Sequence, residues 1–312
     1  MTTPLANLTN RQQRIIITIF GILLLSGFIL FPHPLGVALL FGIISWLTQT
    51  EFYRLLETNG NNRPLTRYGT IVGSGIHILV YLIEQQLVSA TYYLLLGPAV
   101  VVIFLIKLYD RNYGERREES SKKKIKKKRR LFRDIGYTIL GILYVAVPMA
   151  MMNALAMVKT GQNAPPSLIT GNSYDSLIVL GILLILWSND ITAYLVGSAM
   201  SARNPLTAKL FPRISPGKTW AGFWGGAIAG AVMTMLLSVF SVGGLLWWQW
   251  AGTGLIIVVV GTYGDLVESS FKGSIGVKDS GSAIPGHGGF LDRFDGLLLA
   301  APIILAFLRL CW

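Results

Sequence analysis

The sequence predicts an all-α, polytopic membrane protein of about nine transmembrane helices with a cytoplasmic N-terminus. Three observations carry this expectation. Of 312 residues, 52% are apolar and only 13% charged, about half of the roughly 25% charged residues of a soluble domain. The mean hydropathy of +0.55 comes as separate long runs, each near the roughly 20 residues of one bilayer crossing. The Lys and Arg residues sort to one side of those runs. A soluble enzyme with a single anchor is excluded, and so is a β-barrel, whose strands alternate instead of running apolar. The single Cys311 excludes an internal disulfide framework and a cysteine metal cluster.

The first segment, about 15–31, follows Arg11 and Arg14. Phe31-Pro32-His33-Pro34, rather than a small-x-small cleavage pattern, follows it, so it reads as a retained span. The second, about 35–50, ends at a polar Gln49-Thr50-Glu51 edge. Gly73, Gly75 and His77 make the third, about 68–83, the weakest. The fourth and fifth, about 92–108 and 135–157, flank a polybasic loop that includes Lys122 to Arg130. Asp190 sits at depth in the sixth, about 176–198. In the seventh, about 221–241, Gly222, Gly226 and Gly230 recur every four residues. That spacing permits close helix contact, within the chain or at a homodimer face. The eighth and ninth, about 245–262 and 296–311, enclose the most polar connector. Two regions result: an N-terminal one over 1–134 and a C-terminal one over 135–312, whose polar connector spans 264–295.

With the N-terminus inside, every Lys and Arg except Lys159 and Arg309 falls on the cytoplasmic side. This sorting fits a bacterial inner membrane with the functional loops facing the cytoplasm. The run Lys122 to Arg130 reads as a solvated topology determinant, or as a patch that docks on anionic membrane lipids. No aromatic residues interleave with its lysines, so nucleic acid is not an expected partner.

Five of the fifteen acidic residues fall in one window: Asp265, Glu268, Asp279, Asp292 and Asp295. Ionisable groups against a bilayer are costly and usually face a cavity. Clustered carboxylates attract a hard cation such as Mg²⁺, and glycines such as Gly288 and Gly289 let backbone N–H groups approach phosphate oxygens. Lys272, Lys278 and Arg293 neutralise what the cation does not. Asp292 and Asp295 stand three apart, as do Asp265 and Glu268, so each pair shares a face of one helical turn. Two facing pairs would make a cation-centred clamp for a polyphosphate; the alternative is internal pairing with Arg293, Lys272 and Lys278.

A second element is Ser215-Pro216-Gly217-Lys218-Thr219-Trp220. It is not a phosphate loop, because Pro212 stands where the first glycine should be. Ser215 is placed to cap a helix beginning near Pro216, which would present a positive terminus and Lys218 to an anion.

At these residues the chain resembles the phosphatidate cytidylyltransferase (CDP-diacylglycerol synthase) family. The family signature, Ser-x-apolar-Lys-Arg, four residues, Lys-Asp-x-small, then apolar-Pro-x-His-Gly-Gly-apolar-x-Asp-Arg-apolar-Asp, runs from Ser269 to Asp295. Gly273 stands where the family has arginine. The Ser215 to Trp220 segment matches without change. The Asp-Ser/Thr-Gly-Ala-Tyr segment matches at Asp190, Ala193 and Tyr194, with Ile191 and Thr192 replacing its middle pair. The resemblance covers residues 180–312 closely.

It implies the reaction of CTP with phosphatidic acid to give CDP-diacylglycerol and pyrophosphate. It further implies Mg²⁺, with room for a second cation, held by Asp265, Asp292 and Asp295, with Asp190 and Asp279 beside them. Lys218, Lys272, Lys278, Arg293 and His287 are the expected catalytic groups around phosphate. Ser215, Thr219, Ser269, Gly288 and Gly289 are the expected substrate contacts. The departures at Gly273 and Ile191 keep two alternatives open: a related CTP-dependent lipid kinase, and a low-activity paralogue that acts on another lipid phosphate or only binds lipid.

Overall fold

A computed structural model describes residues 10–58, 62–110, 131–158, 174–204, 208–281 and 288–311, with side chains from residue 19 onward. The basic run at 122–130 and His287 lie outside the described residues.

Each hydrophobic segment falls on a helix. Helices α1 (Asn10–Ile29), α2 (Leu35–Thr58) and α3 (Thr66–Glu84) come first. A 3₁₀ turn (Ala90–Leu95) leads into α4 (Leu96–Leu108). Next, α5 (Leu131–Gly141) runs through a π turn (Ile142–Ala146) into α6 (Val147–Leu155). Pro148 lies in the first turn of α6, just past the π turn, which breaks the regular hydrogen-bond ladder that a proline disrupts. After α7 (Ser176–Arg203) comes a two-stranded antiparallel hairpin, β1 (Lys209–Phe211) and β2 (Ser215–Thr219). The chain ends with α8 (Trp220–Val239), α9 (Trp247–Ile256), a second π turn (Ile257–Gly261), α10 (Thr262–Ile275) and α11 (Leu291–Leu310).

Among the described residues, six helical stretches are long and apolar enough to cross a bilayer. They are Leu35–Thr58, Ala90–Leu108, Leu131–Leu155, Ser176–Arg203, Trp220–Val239 and Trp247–Ile275. Neither α3 nor α11 is among them. Two helices run past their expected ends. Helix α2 continues through the polar edge to Thr58 because Phe52, Leu55 and Leu56 keep a buried stripe going. The α9–α10 rod continues to Ile275, so Asp265 and Glu268 sit on a helix interior. Leu266 and Phe271 hold that extension against the bundle.

The main core joins α2, α6, α7, α9 and α11 around Phe41, Phe52, Met149, Ile182, Trp250 and Ile304. Only 11% of the α4 crossing is buried. Its exposed Leu94, Leu95, Val101 and Leu105 suit lipid tails, which are as apolar as leucine. The glycine row of α8 is used inside the chain. A Cβ on Gly226 would stand 2.8 Å from the Asn189 carbonyl of α7, and one on Gly222 would stand 2.7 Å from that of Ala193. The backbones of α7 and α8 therefore touch, and Gly222, Gly226 and Gly230 are buried within the chain.

Polar knots fasten α2 to its neighbours. Tyr53 donates to the Thr138 carbonyl at 2.7 Å, and Gln49 donates to that of Gly69 at 3.0 Å. Nearby, the buried Lys107–Asp134 pair at 3.7 Å is completed by the Arg63 N–H, 3.0 Å from Asp134. Such supplementary bonds are what a desolvated ion pair requires.

Candidate active site

The hairpin departs from the expectation for Ser215-Pro216. Residues 215–219 are extended, and α8 begins only at Trp220. Thr219 is the cap: its Oγ1 accepts from the Gly222 N–H at 3.1 Å. Proline is tolerated in a two-stranded ribbon that has no further strand to satisfy, and β-branched Thr219 suits both the strand end and the cap. The helix terminus facing the site is thus four residues later than the sequence implied, but Lys218 still stands beside it.

A cavity of about 630 Å³ opens between α7, the hairpin, the start of α8, α10 and the start of α11. Small-molecule sites span about 300–1,000 Å³. Its lining includes Asp190, Ser215, Lys218, Thr219, Asp265, Lys272, Asp292, Arg293 and Asp295 from the expected site residues, together with Glu268, the partner of Asp265 in the expected carboxylate clamp. Four separate stretches of sequence, spread over a hundred residues, thereby converge on one pocket.

Asp265 and Glu268 of α10 and Asp295 of α11 each place a carboxylate oxygen within 4.8 Å of the others. Glu268 is 1% exposed, and its Oε1 lacks a hydrogen-bond partner among the described residues. An unpartnered carboxylate oxygen buried beside two further carboxylates is costly without a cation. The set of hard oxygen donors suits Mg²⁺. The three-residue spacing from Asp265 made Glu268 visible in the sequence. Its burial against Asp295 was not.

Asp292 turns to a different task. Its carboxylate takes Lys272 Nζ at 2.7 Å, the Ser280 N–H at 3.1 Å and the Gly289 N–H at 3.0 Å. Lys272 bridges to Glu268 at 2.8 Å, and Lys218 pairs with Asp265 at 2.5 Å. The two lysines thus stand where negative charge is densest. Ser269 donates to Asp265 Oδ1 at 3.3 Å, orienting that carboxylate from outside the cavity lining. Arg293 is exposed on the cavity rim.

Other expected residues lie apart. Lys278 and Asp279 are exposed and outside the lining. Gly288 and Gly289 wrap Asp292 instead of lining the cavity. Gly288 has φ +76°, and a Cβ there would meet Asp292 Oδ2 at 2.7 Å. The Gly289 N–H, expected to meet phosphate, is committed to Asp292. The loop folds around its own carboxylate because a buried acceptor draws the nearest N–H groups. At Gly273 no atom of the described residues lies within 4 Å of where a Cβ would stand, and Ile191 is 60% exposed.

One further group was hidden in the sequence. Glu51 of α2 accepts from the Phe290 N–H at 2.9 Å and the Leu291 N–H at 3.4 Å, and from the Ser280 hydroxyl. In sequence it stands as a polar residue ending a hydrophobic run, 229 positions from Ser280, with no local signal of its partners.

The chain matches the model of the "Cytidylyltransferase family" over residues 12–311. It is 42% identical over 126 residues to the phosphatidate cytidylyltransferase of Staphylococcus aureus (strain COL), covering 40% of this chain and 46% of that protein. It is 40% identical over 144 residues to the phosphatidate cytidylyltransferase of Brucella abortus biovar 1 (strain 9-941), covering 45% and 50%. A third relative, the uncharacterized protein YnbB of Escherichia coli (strain K12), is 42% identical over 140 residues, 44% of each chain. The chain spans about half the length of these curated relatives. The family match extends across nearly all of the sequence, acid-bearing helices and lysines included: the chain belongs to the cytidylyltransferase family.

Proposed function

We propose that this chain is a membrane-embedded CTP:phosphatidate cytidylyltransferase that makes CDP-diacylglycerol and pyrophosphate. The observation that carries the reading is the cavity in which Asp265, Glu268 and Asp295 converge beside Lys218 and Lys272. A phosphatidate oxygen attacks the α-phosphorus of CTP. A new P–O bond forms, the bond from the α-phosphorus to the bridging oxygen breaks, and that oxygen departs on pyrophosphate. The nucleophile is already anionic near neutral pH, so little general-base work is required. The difficulty lies in gathering anions, which positioned cations relieve.

Bound Mg²⁺ would supply charge neutralisation and orientation of the phosphates. Asp265, Glu268 and Asp295 would hold it, with Asp190 and Asp292 at the margin of the set. Lys218 and Arg293 would receive phosphate oxygens, and Lys272 would tie Asp292 to Glu268 so that both keep their positions. The N-terminus of α8, next to Thr219, offers N–H groups and a partial positive charge to an anion. Exposed apolar helix faces fit a lipid substrate delivered from the membrane. The cytoplasmic orientation and a bacterial inner membrane remain part of this reading.

The test uses purified full-length protein in detergent with phosphatidate and Mg²⁺. It supplies CTP labelled in the cytosine ring and, in parallel, CTP labelled at the γ-phosphate. Ring label in lipid with γ label in pyrophosphate is the expected result. Label passing from the γ-phosphate to lipid would assign a kinase instead.

A further inference from the structure

We infer that Glu51 is a positioning residue of this site, a carboxylate from the N-terminal region that latches both stems of the signature loop. The inference rests on the cytidylyltransferase reading for its consequence, but not for its geometry. One stem contributes the Ser280 hydroxyl; the other contributes the Phe290 and Leu291 N–H groups. All three donors converge on a single side chain of α2. Ser280 and Leu291 are 4% and 0% exposed, so water is a poor substitute for that acceptor.

Three features fit a latch rather than an incidental contact. The Phe290 and Leu291 N–H groups belong to the start of α11, where donors lack partners within the helix and negative charge is favoured. The first turn of that helix carries Asp292 and Asp295 follows it, so its seating sets both carboxylates. A side chain on Gly289 would collide with Glu51 and with Ser280 Oγ, and one on Gly281 would stand 3.0 Å from Glu51 Cδ. Glycines flank the latch on both stems. Phe52, next in sequence, stacks on Phe271 of α10 with centroids 4.9 Å apart and planes 17° apart. Residues 51 and 52 of α2 thus grip α11 and α10, the two helices that bear the acid cluster.

Glu51 and Asp292 divide the loop between them: Asp292 takes the backbone of Ser280 and Gly289, and Glu51 takes the Ser280 side chain and the next two N–H groups. Glu51 is not part of the cavity lining, and removing it should loosen the loop and unseat the first turn of α11, which carries the lining residues Asp292 and Arg293.

The experiment compares the full-length protein with Glu51→Ala, Glu51→Gln and the milder Ser280→Ala. Amide hydrogen exchange is followed without metal or nucleotide, and cytidylyl transfer is followed against Mg²⁺ concentration. In Glu51→Ala, exchange should quicken about tenfold or more over 280–295 and stay unchanged elsewhere. Its kcat should fall about tenfold or more, and half-saturation by Mg²⁺ should need a higher concentration. Glu51→Gln, which keeps an acceptor oxygen, should recover part of both, and Ser280→Ala should shift them in the same direction by less. Exchange over 280–295 equal to wild type overturns the inference, and so does quickening across all helices. Local quickening with wild-type kinetics also overturns it, because the latch then positions nothing. If wild type transfers no cytidine, the proposed function falls, and the exchange comparison alone decides whether Glu51 holds the loop.

Discussion

Glu268 and Asp292 are both acids of the polar connector, yet their surroundings assign them different work. Asp292 is ringed by Lys272 and two backbone N–H groups, whereas Glu268 keeps one buried oxygen without a partner among the described residues, beside Asp265 and Asp295. Glu268→Gln should therefore lower transfer about a hundredfold and raise the Mg²⁺ requirement, measured as initial rates across a Mg²⁺ titration. An unchanged Mg²⁺ requirement would remove Glu268 from the cation site. Asp292→Asn keeps one acceptor oxygen but loses the charge opposite Lys272. It should abolish most turnover while the purified protein stays folded, as judged by its circular dichroism and elution profile. Substantial residual activity would contradict the importance given to Asp292. At Gly273 a side chain would meet none of the described residues. Gly273→Arg should lower the KM for an anionic substrate and add about 0.5–1 kcal/mol of helix stability, since a cation also suits the last turn of α10. An unchanged KM would mean that other cations already serve the position.

At the scale of elements, the site depends on where α8 starts and on how closely α7 and α8 approach. Thr219→Val keeps the strand shape but removes the hydroxyl bonded to the Gly222 N–H, at a cost of about 1 kcal/mol. Gly226→Val would force a side chain against the Asn189 carbonyl and cost about 1–3 kcal/mol. Thermal unfolding in detergent should rank the second below the first. The helical runs were legible because apolar length and charge sorting survive any packing arrangement. The helix ends were not. Helix α2 passes its polar edge because tertiary packing of Phe52, Leu55 and Leu56 overrides a local polar triplet. The start of α8 shifted because a proline after serine fits a helix start and a hairpin equally well. Spacing within one helix revealed Asp265 with Glu268; contacts across 229 residues, as at Glu51 and Ser280, leave no trace in a local pattern.

For the whole molecule, the sorting of Lys and Arg predicts that the cavity opens on the cytoplasmic side. A Lys278→Cys variant in a Cys311→Ser background should react with a membrane-impermeant maleimide in inside-out vesicles and not in right-side-out ones. The reverse pattern would invert the topology. In the proposed reaction, the carboxylates gathered from α10 and α11 support cytidylyl transfer to phosphatidate. The most direct measurement is Mg²⁺-dependent transfer of ring-labelled cytidine into lipid, wild type beside Asp295→Asn. Wild type should place label in CDP-diacylglycerol, lost on chelation and reduced about a hundredfold in the variant. Wild type that binds CTP and Mg²⁺ but labels no lipid would contradict the proposed reaction, as would an Asp295→Asn variant that transfers at the wild-type rate.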